Sequence, residues 1–206
     1  MNIIQIGCHD GNDKVSNFLN ANKKHFSKIL LVDASSSALV LAEEFYKDFN
    51  GIEFRNVAVI DSNETEIDLF YPVDNANVSY SYLSVLESHV KTHKKFEDDI
   101  DNSDPKEINT QKVVATRINN LLEHFDGEYI DRLYIDVEGL DCQIINDIDL
   151  DKYDIGYIRF EYIHSEGTFK TNGPILEKTT KRLASFGYSI FADANSPEDL
   201  FAIKNI

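Results

Sequence analysis

Leu133-Tyr134-Ile135-Asp136-Val137-Glu138-Gly139 decides the fold: an apolar run brings two carboxylates to its C-terminal end just before a helical pattern resumes. In an open α/β sheet ligands bind in the crevice beyond the carboxyl ends of the strands, so Asp136 and Glu138 are expected to face it. The plainer reading is an acidic strand end that caps the next helix, because carboxylates are favoured near helix N-termini. Reading outward from this stretch weakens that alternative.

Upstream, hydrophobic runs alternate with amphipathic stretches in the order βαβαβ. Asn2 to Ile6 reads as a first buried strand, and Val15, Phe18, Leu19 and Phe26 form a helical stripe that starts from Asn12 or Asp13. Lys28 to Asp33 is a second strand. Ser35 or Ser36 can cap a helix with Leu39, Ala42, Phe45 and Phe49 on its apolar face, and Glu53 to Ile60 forms a third strand. Downstream, Leu140, Ile144, Ile145 and Ile148 follow helical spacing, and Ile155 to Tyr162 is a fifth strand ending in Glu161. A last helix carries Leu176, Thr179, Leu183 and Phe186 and stops at Gly187. Tyr188 to Ala192 and Leu200 to Ile203, joined by a turn at Asn195-Ser196-Pro197, are so close in sequence that they must pair antiparallel.

The middle of the chain is less periodic. Glu66 to Tyr71 alternates like a strand, Tyr82 to Val90 reads as a short helix, Lys112 to Thr116 as extended, Ile118 to Phe125 as a helix, and Asp131 to Asp136 as the fourth buried strand. Residues 93 to 110 are rich in charge and poor in apolar side chains, which cannot offset the entropy of ordering. We therefore expect one domain over residues 1–206 with a mobile insertion around residues 72–112. Lys91-Thr92-His93-Lys94-Lys95, followed by Glu97-Asp98-Asp99, reads as part of a solvated loop.

A chain of 206 residues can bury a full core without staples. Two cysteines, Cys8 and Cys142, form no disulfide framework and no metal-ligand spacing, so a cytoplasmic protein with free thiols is expected. The formal net charge of −16 argues against nucleic acid, whose binding rests on Lys and Arg neutralising phosphates. No membrane partner is expected either, since no apolar run approaches a membrane span. Small molecules or glycans fit better, and composition says nothing about the oligomeric state.

Gly7-Cys8-His9-Asp10-Gly11 follows the first strand and opens the first helix, where a cofactor must approach the backbone without meeting a β-carbon. The spacing differs from the G-x-G-x-x-G of dinucleotide-binding folds. Asp33 ends the second strand, where a carboxylate can accept hydrogen bonds from ribose hydroxyls or cap the following helix. Glycine loop and acidic strand end together favour a nucleoside ligand.

Ile4-Gln5-Ile6-Gly7-Cys8-His9-Asp10-Gly11, Leu31-Val32-Asp33-Ala34-Ser35, Asn56-Val57-Ala58-Val59, Tyr134-Ile135-Asp136-Val137-Glu138-Gly139 and the hairpin from Gly187-Tyr188 resemble, in this order, the FkbM-type S-adenosylmethionine-dependent methyltransferases. The resemblance implies a class I methyltransferase fold: a Rossmann-like, mostly parallel seven-stranded α/β sheet with a C-terminal antiparallel hairpin and helices on both faces. It implies S-adenosylmethionine as donor and methyl transfer, usually to a hydroxyl oxygen. It places Gln5, at the end of the first strand, and Gly7, His9 and Gly11 of the loop after it in the donor site, Asp33 on the ribose with Ala34 beside it, Val57 and Ala58 against the adenine, Asp61 near its amino group, and Asp136 at the methionine end. Gln5 stands where such enzymes commonly carry Asp or Glu, Asp33 where they carry Glu, and Ala34 where Pro is frequent.

Glu138, Glu161 and His164 are the candidates for the base that takes the acceptor's proton. Asp136, Glu138 and Glu161 could gather a divalent cation, but a site without metal is the preferred expectation. Two other functions compete. A nicotinamide oxidoreductase is disfavoured by the glycine spacing and the terminal hairpin, and a nucleoside-binding or partner-binding module without catalysis finds its support in Gln5.

Overall fold

The computed structural model describes residues 1–22, 25–74, 77–78, 83–93, 107–167 and 169–205. Asn2–Ile6 (β1), Lys28–Asp33 (β2), Ile52–Asn56 (β3), Ile130–Ile135 (β8), Ile155–Glu161 (β9), Tyr188–Asp193 (β10) and Ser196–Lys204 (β11) form a seven-stranded sheet in the order β10-β11-β9-β8-β1-β2-β3. The five strands from β9 to β3 run parallel, and β11 pairs antiparallel with both β9 and β10. The turn between β10 and β11 falls at residues 194–195, because Ser196 pairs with Asp193 and Pro197 already lies in β11.

The period of two along each strand sorts the core onto two faces. Ile4, Ile6, Leu30, Val32, Leu133, Ile135, Ile158 and Phe160 pack on one side with Ile118–Leu122 (α4), Asp141–Asp147 (α5) and Pro174–Ser185 (α6). Ile3, Ile29, Leu31 and Tyr134 pack on the other with Lys14–Ala21 (α1) and Ser36–Phe45 (α2). Each such buried Ile or Leu contributes about 1.5–3 kcal/mol of transfer free energy. Asp13 caps α1 by accepting the Ser16 amide, and Ser35 caps α2 by accepting the Ala38 amide.

The third strand is not continuous to Ile60. After Asn56 pairs with Asp33, the Val57 amide donates to the Asp33 carbonyl at 3.0 Å, and β2 ends there. Ala58–Ile60 (β4) then pairs with Glu107–Arg117 (β7) in a second sheet of order β4-β7-β5-β6, where β5 is Glu66–Asp74 and β6 is Asn77–Val78. The insertion expected around residues 72–112 is thus partly a long β5–β7 pairing: Pro72 faces Ile108 and Asp68 faces Lys112. Residues 107–110, read as mobile, are strand; residues 94–106 lie outside the described residues. The helix expected at Tyr82 to Val90 occurs as residues 87–93 (α3). Among the described residues no helix is long and apolar enough to cross a membrane.

Candidate active site

The carboxyl ends of β1, β2 and β8, the start of β4, Leu69 of β5 and residues 83–85 enclose a cavity of about 270 Å³. Gly7, His9, Asp33, Ala34, Val57, Ala58, Asp136 and Glu138 all line it, so most of the expected donor set converges here.

Gly7 has φ of 80°, and a β-carbon there would lie 1.7 Å from the Asp136 carbonyl oxygen. Glycine is therefore what lets the ends of β1 and β8 meet. The Gly7 and Cys8 amides both donate to the Val32 carbonyl, at 2.9 and 3.1 Å, which turns the chain across the end of β2. Asp33 then holds the loop in place: Oδ2 accepts the His9 amide and Oδ1 the Ser35 amide, each at 2.8 Å. Burial raises the Asp33 carboxyl above its ordinary value, and these two bonds pull against it.

Asp136 lies at the junction with a second cavity of about 240 Å³, lined also by Gln5, Asp13, Lys14, Tyr134, Arg159 and Asp199. Its carboxylate receives no hydrogen bond from a described residue, and burial together with the Glu138 charge pushes it up to about 7. Gln5 opens onto this second cavity and not the first. Residues alternate along β1, and Gln5 shares the face of Ile3, where Nε2 donates to Asp13 at 2.5 Å and Oε1 is buried without a hydrogen-bond partner among the described residues.

Two expected donor residues stand elsewhere. Gly11 packs against Tyr46, whose ring carbon would lie 2.7 Å from an added β-carbon, and does not line the cavity. Asp61 is exposed just beyond β4 and is absent from the cavity wall, because the chain has already left the first sheet.

The three candidate bases stand close together, but only Glu138 lines the donor cavity. Glu138, at φ of 58°, turns its side chain so that Oε2 lies 2.8 Å from His89 Nε2. Ser84 anchors the same residue by donating to the Glu138 carbonyl at 2.9 Å. Glu161 is buried beside His164, with Oε1 and Nε2 3.5 Å apart, and neither lines the donor cavity. Burial, then the Glu138, Asp141 and Asp136 charges, hold the Glu161 carboxyl far above the usual range, so it keeps its proton at neutral pH.

His89 and His93, one helical turn apart on α3, were not anticipated as site residues. Their rings lie 4.4 Å apart, and His164 lies 4.5 and 4.9 Å from them. Burial pushes His89 and His93 down to about 4 and His164 to about 3, so all three are neutral at pH 7. The His89-x-x-x-His93 spacing was the available signal: it puts both rings on one helix face. It was divided between two readings, with His89 in the expected helix to Val90 and His93 in the lysine-rich stretch read as a solvated loop.

The strand order, with an antiparallel strand inserted beside β9, and the cavity at the carboxyl ends of β1, β2 and β8 define a class I methyltransferase fold. The chain belongs to the FkbM methyltransferase family, whose domain model matches residues 1–190. Over 98% of its length it superposes on the crystal structure of methyltransferase FkbM from Methylobacillus flagellatus KT, with a TM-score of 0.56 and 11% identity, and spans 43% of that chain. Fibrillarin from Aeropyrum pernix, solved with natively bound S-adenosyl-L-methionine, is similar over 98% of this chain and 66% of its own, at 12% identity and a TM-score of 0.48. Identities this low show the fold alone. No curated protein matches the sequence.

Proposed function

We propose that the protein transfers a methyl group from S-adenosylmethionine to a hydroxyl oxygen of a small-molecule or glycan acceptor. The observation that carries this reading is the Asp136 carboxylate, solvent-accessible at the end of β8 and without a hydrogen-bond partner among the described residues, in the same cavity as Asp33. An unpaired carboxylate on the cavity wall suits an ammonium group, and Asp33 retains lone pairs for ribose hydroxyls. S-adenosylmethionine carries both groups, and when bound it supplies an electrophilic methyl on a sulfonium.

On this reading Gly7 and Asp136 hold the amino-acid end, Asp33 the ribose, and Val57 and Ala58 flank the base. Methyl transfer then needs an aligned hydroxyl and a place for its proton, so positioning supplies much of the acceleration. Glu138 is the cavity carboxylate suited to take that proton. Burial raises it to about 7, near a working pH, and His89 Nε2 fixes its orientation. The net charge of −16 favours a neutral or cationic acceptor over a polyanionic one.

A nicotinamide cofactor suits the fold less well, because the usual dinucleotide-binding sheet is extended by parallel strands, whereas here the antiparallel β11 separates β9 from β10. Calorimetry with S-adenosylmethionine, S-adenosylhomocysteine and NAD tests the donor. Binding of the first two and not the third is expected. Saturable binding of NAD alone would overturn the assignment.

A further inference from the structure

We propose that His89, His93, His164 and Glu138 form a binding site for one divalent transition-metal ion of the zinc type, set beside the donor cavity and sharing Glu138 with it. One nitrogen of each histidine and one oxygen of Glu138 lie within 4.8 Å of one another, and no other such group occurs among the described residues.

The case begins with geometry. A tetrahedral zinc ion with ligands at 2.0–2.2 Å holds its ligand atoms about 3.4 Å apart. The widest pair therefore has to close by about 1.4 Å, which side-chain rotation can provide. The His89–Glu138 pair, at 2.8 Å, opens slightly as a metal ion replaces the proton between them. The donor set is equally selective. Three imidazoles and one carboxylate suit zinc and its neighbours, whereas magnesium and calcium require oxygen-rich shells.

The ligands come from three separate places in the fold. His89 and His93 share one face of α3, Glu138 follows β8, and His164 follows β9. Gly139 allows this convergence: at φ of 117°, a β-carbon there would press on Leu86 at 3.1 Å and lie 3.7 Å from His89 Nδ1. A supporting shell is present as well. Glu161 Oε1 stands 3.5 Å from His164 Nε2, and Ser84 holds the Glu138 carbonyl. One contact opposes binding. The Phe169 amide donates to His164 Nδ1 at 3.1 Å, and that bond gives way whichever ring nitrogen takes the metal. A single neutral hydrogen bond is a small cost against coordination by four groups.

With four protein ligands the site is closed, as structural zinc sites are. Its effect would be to pin α3, which follows the wall residues Ser84 and Val85, to the ends of β8 and β9. Since Glu138 serves either as ligand or as proton acceptor, metal loading is expected to alter turnover. The binding proposal itself does not depend on the methyl-transfer reading.

The test uses the full chain stripped with EDTA and titrated with zinc by calorimetry, with cobalt(II) as a spectroscopic probe of coordination. One equivalent of zinc per chain, unaffected by millimolar magnesium, and the intense visible bands of four-coordinate cobalt are expected. His93→Ala should weaken zinc binding by at least the 10- to 100-fold that loss of a supporting group costs, and His93→Cys, which restores a ligand, should recover it. Metal-free melting curves confirm that both variants fold. Zinc affinity unchanged in His93→Ala and His164→Ala, or cobalt spectra of a six-coordinate aquo type, would overturn the proposal. Failure of S-adenosylmethionine to bind the same preparation would count against the methyl-transfer reading alone.

Discussion

A β-carbon on Gly7 would sit 1.7 Å from the carbonyl oxygen of Asp136, so the ends of β1 and β8 touch through backbone alone. The obstacle is main chain, and no side chain can swing aside to relieve it. Gly7 also has φ of 80°, in the left-handed region. Gly7→Ala should therefore destabilise the fold by at least about 2 kcal/mol, as read from urea denaturation. A midpoint within experimental error of the parent would contradict this packing.

Asp33 joins three segments: the His9 and Ser35 amides bond its carboxylate, and its carbonyl accepts the Val57 amide. Asp33→Ala removes the side-chain bonds and leaves the last one intact. S-adenosylhomocysteine affinity should fall by about 1.5–3 kcal/mol, the range for hydrogen bonds to a charged acceptor. Asp33→Asn, which keeps an acceptor oxygen, should lose less. Equal affinities across the three proteins in a calorimetric titration would remove Asp33 from the donor site.

Glu138→Gln keeps the shape of the side chain and its contact distance to His89 while abolishing its role as a base. Turnover on a working acceptor should drop by about 10²- to 10⁴-fold, with donor affinity held within a few fold. A folded variant with normal kcat would take Glu138 out of the chemistry.

Both thiols are buried without exposure, and burial raises Cys142 from 9.0 to about 11 and Cys8 further still. The folded state thus keeps protons that the unfolded chain gives up above about pH 9, so stability is complete below that value and falls as pH rises. Each thiol should contribute a slope of about 1.4 kcal/mol per pH unit through this window. Urea denaturation of Cys142→Ala at several pH values from 9 to 11 should show the slope reduced by that amount. An unchanged slope would mean that the Cys142 thiol ionises as readily in the folded protein as in the unfolded chain.

Much of the fold was legible because the parallel strands are buried on both faces and read as short apolar runs, as in Ile29-Leu30-Leu31-Val32. The caps at Asp13 and Ser35 and the terminal hairpin were legible for equally local reasons. The break at Val57 was not. Glu53 to Ile60 is one continuous strand-like run, and only a bond to Asp33 on another strand tells the chain to change sheets. Gln5 shows a different failure: its place just before the glycine loop suggested the donor cavity, but its parity with Ile3 put it on the α1 face. His89 and His93 meet His164 and Glu138 only through the packing of α3 over the ends of β8 and β9, which no short window of sequence encodes.

The change of sheet at Val57 gives the cavity two walls with separate hydrogen-bond ladders. Gly7, Asp33 and Asp136 stand on one ladder, while Ala58, Val59 and Leu69 stand on the other. Had both walls belonged to one sheet, strand spacing of about 4.8 Å would set the width of the slot. Instead the width depends on how apolar side chains slide along a seam held near the Val57 amide and the Asp33 carbonyl. Such a slot can widen for a bulkier guest at the expense of a few dispersion contacts, without breaking a backbone pair, and tolerance of guest size then becomes a property of the seam and not of either sheet.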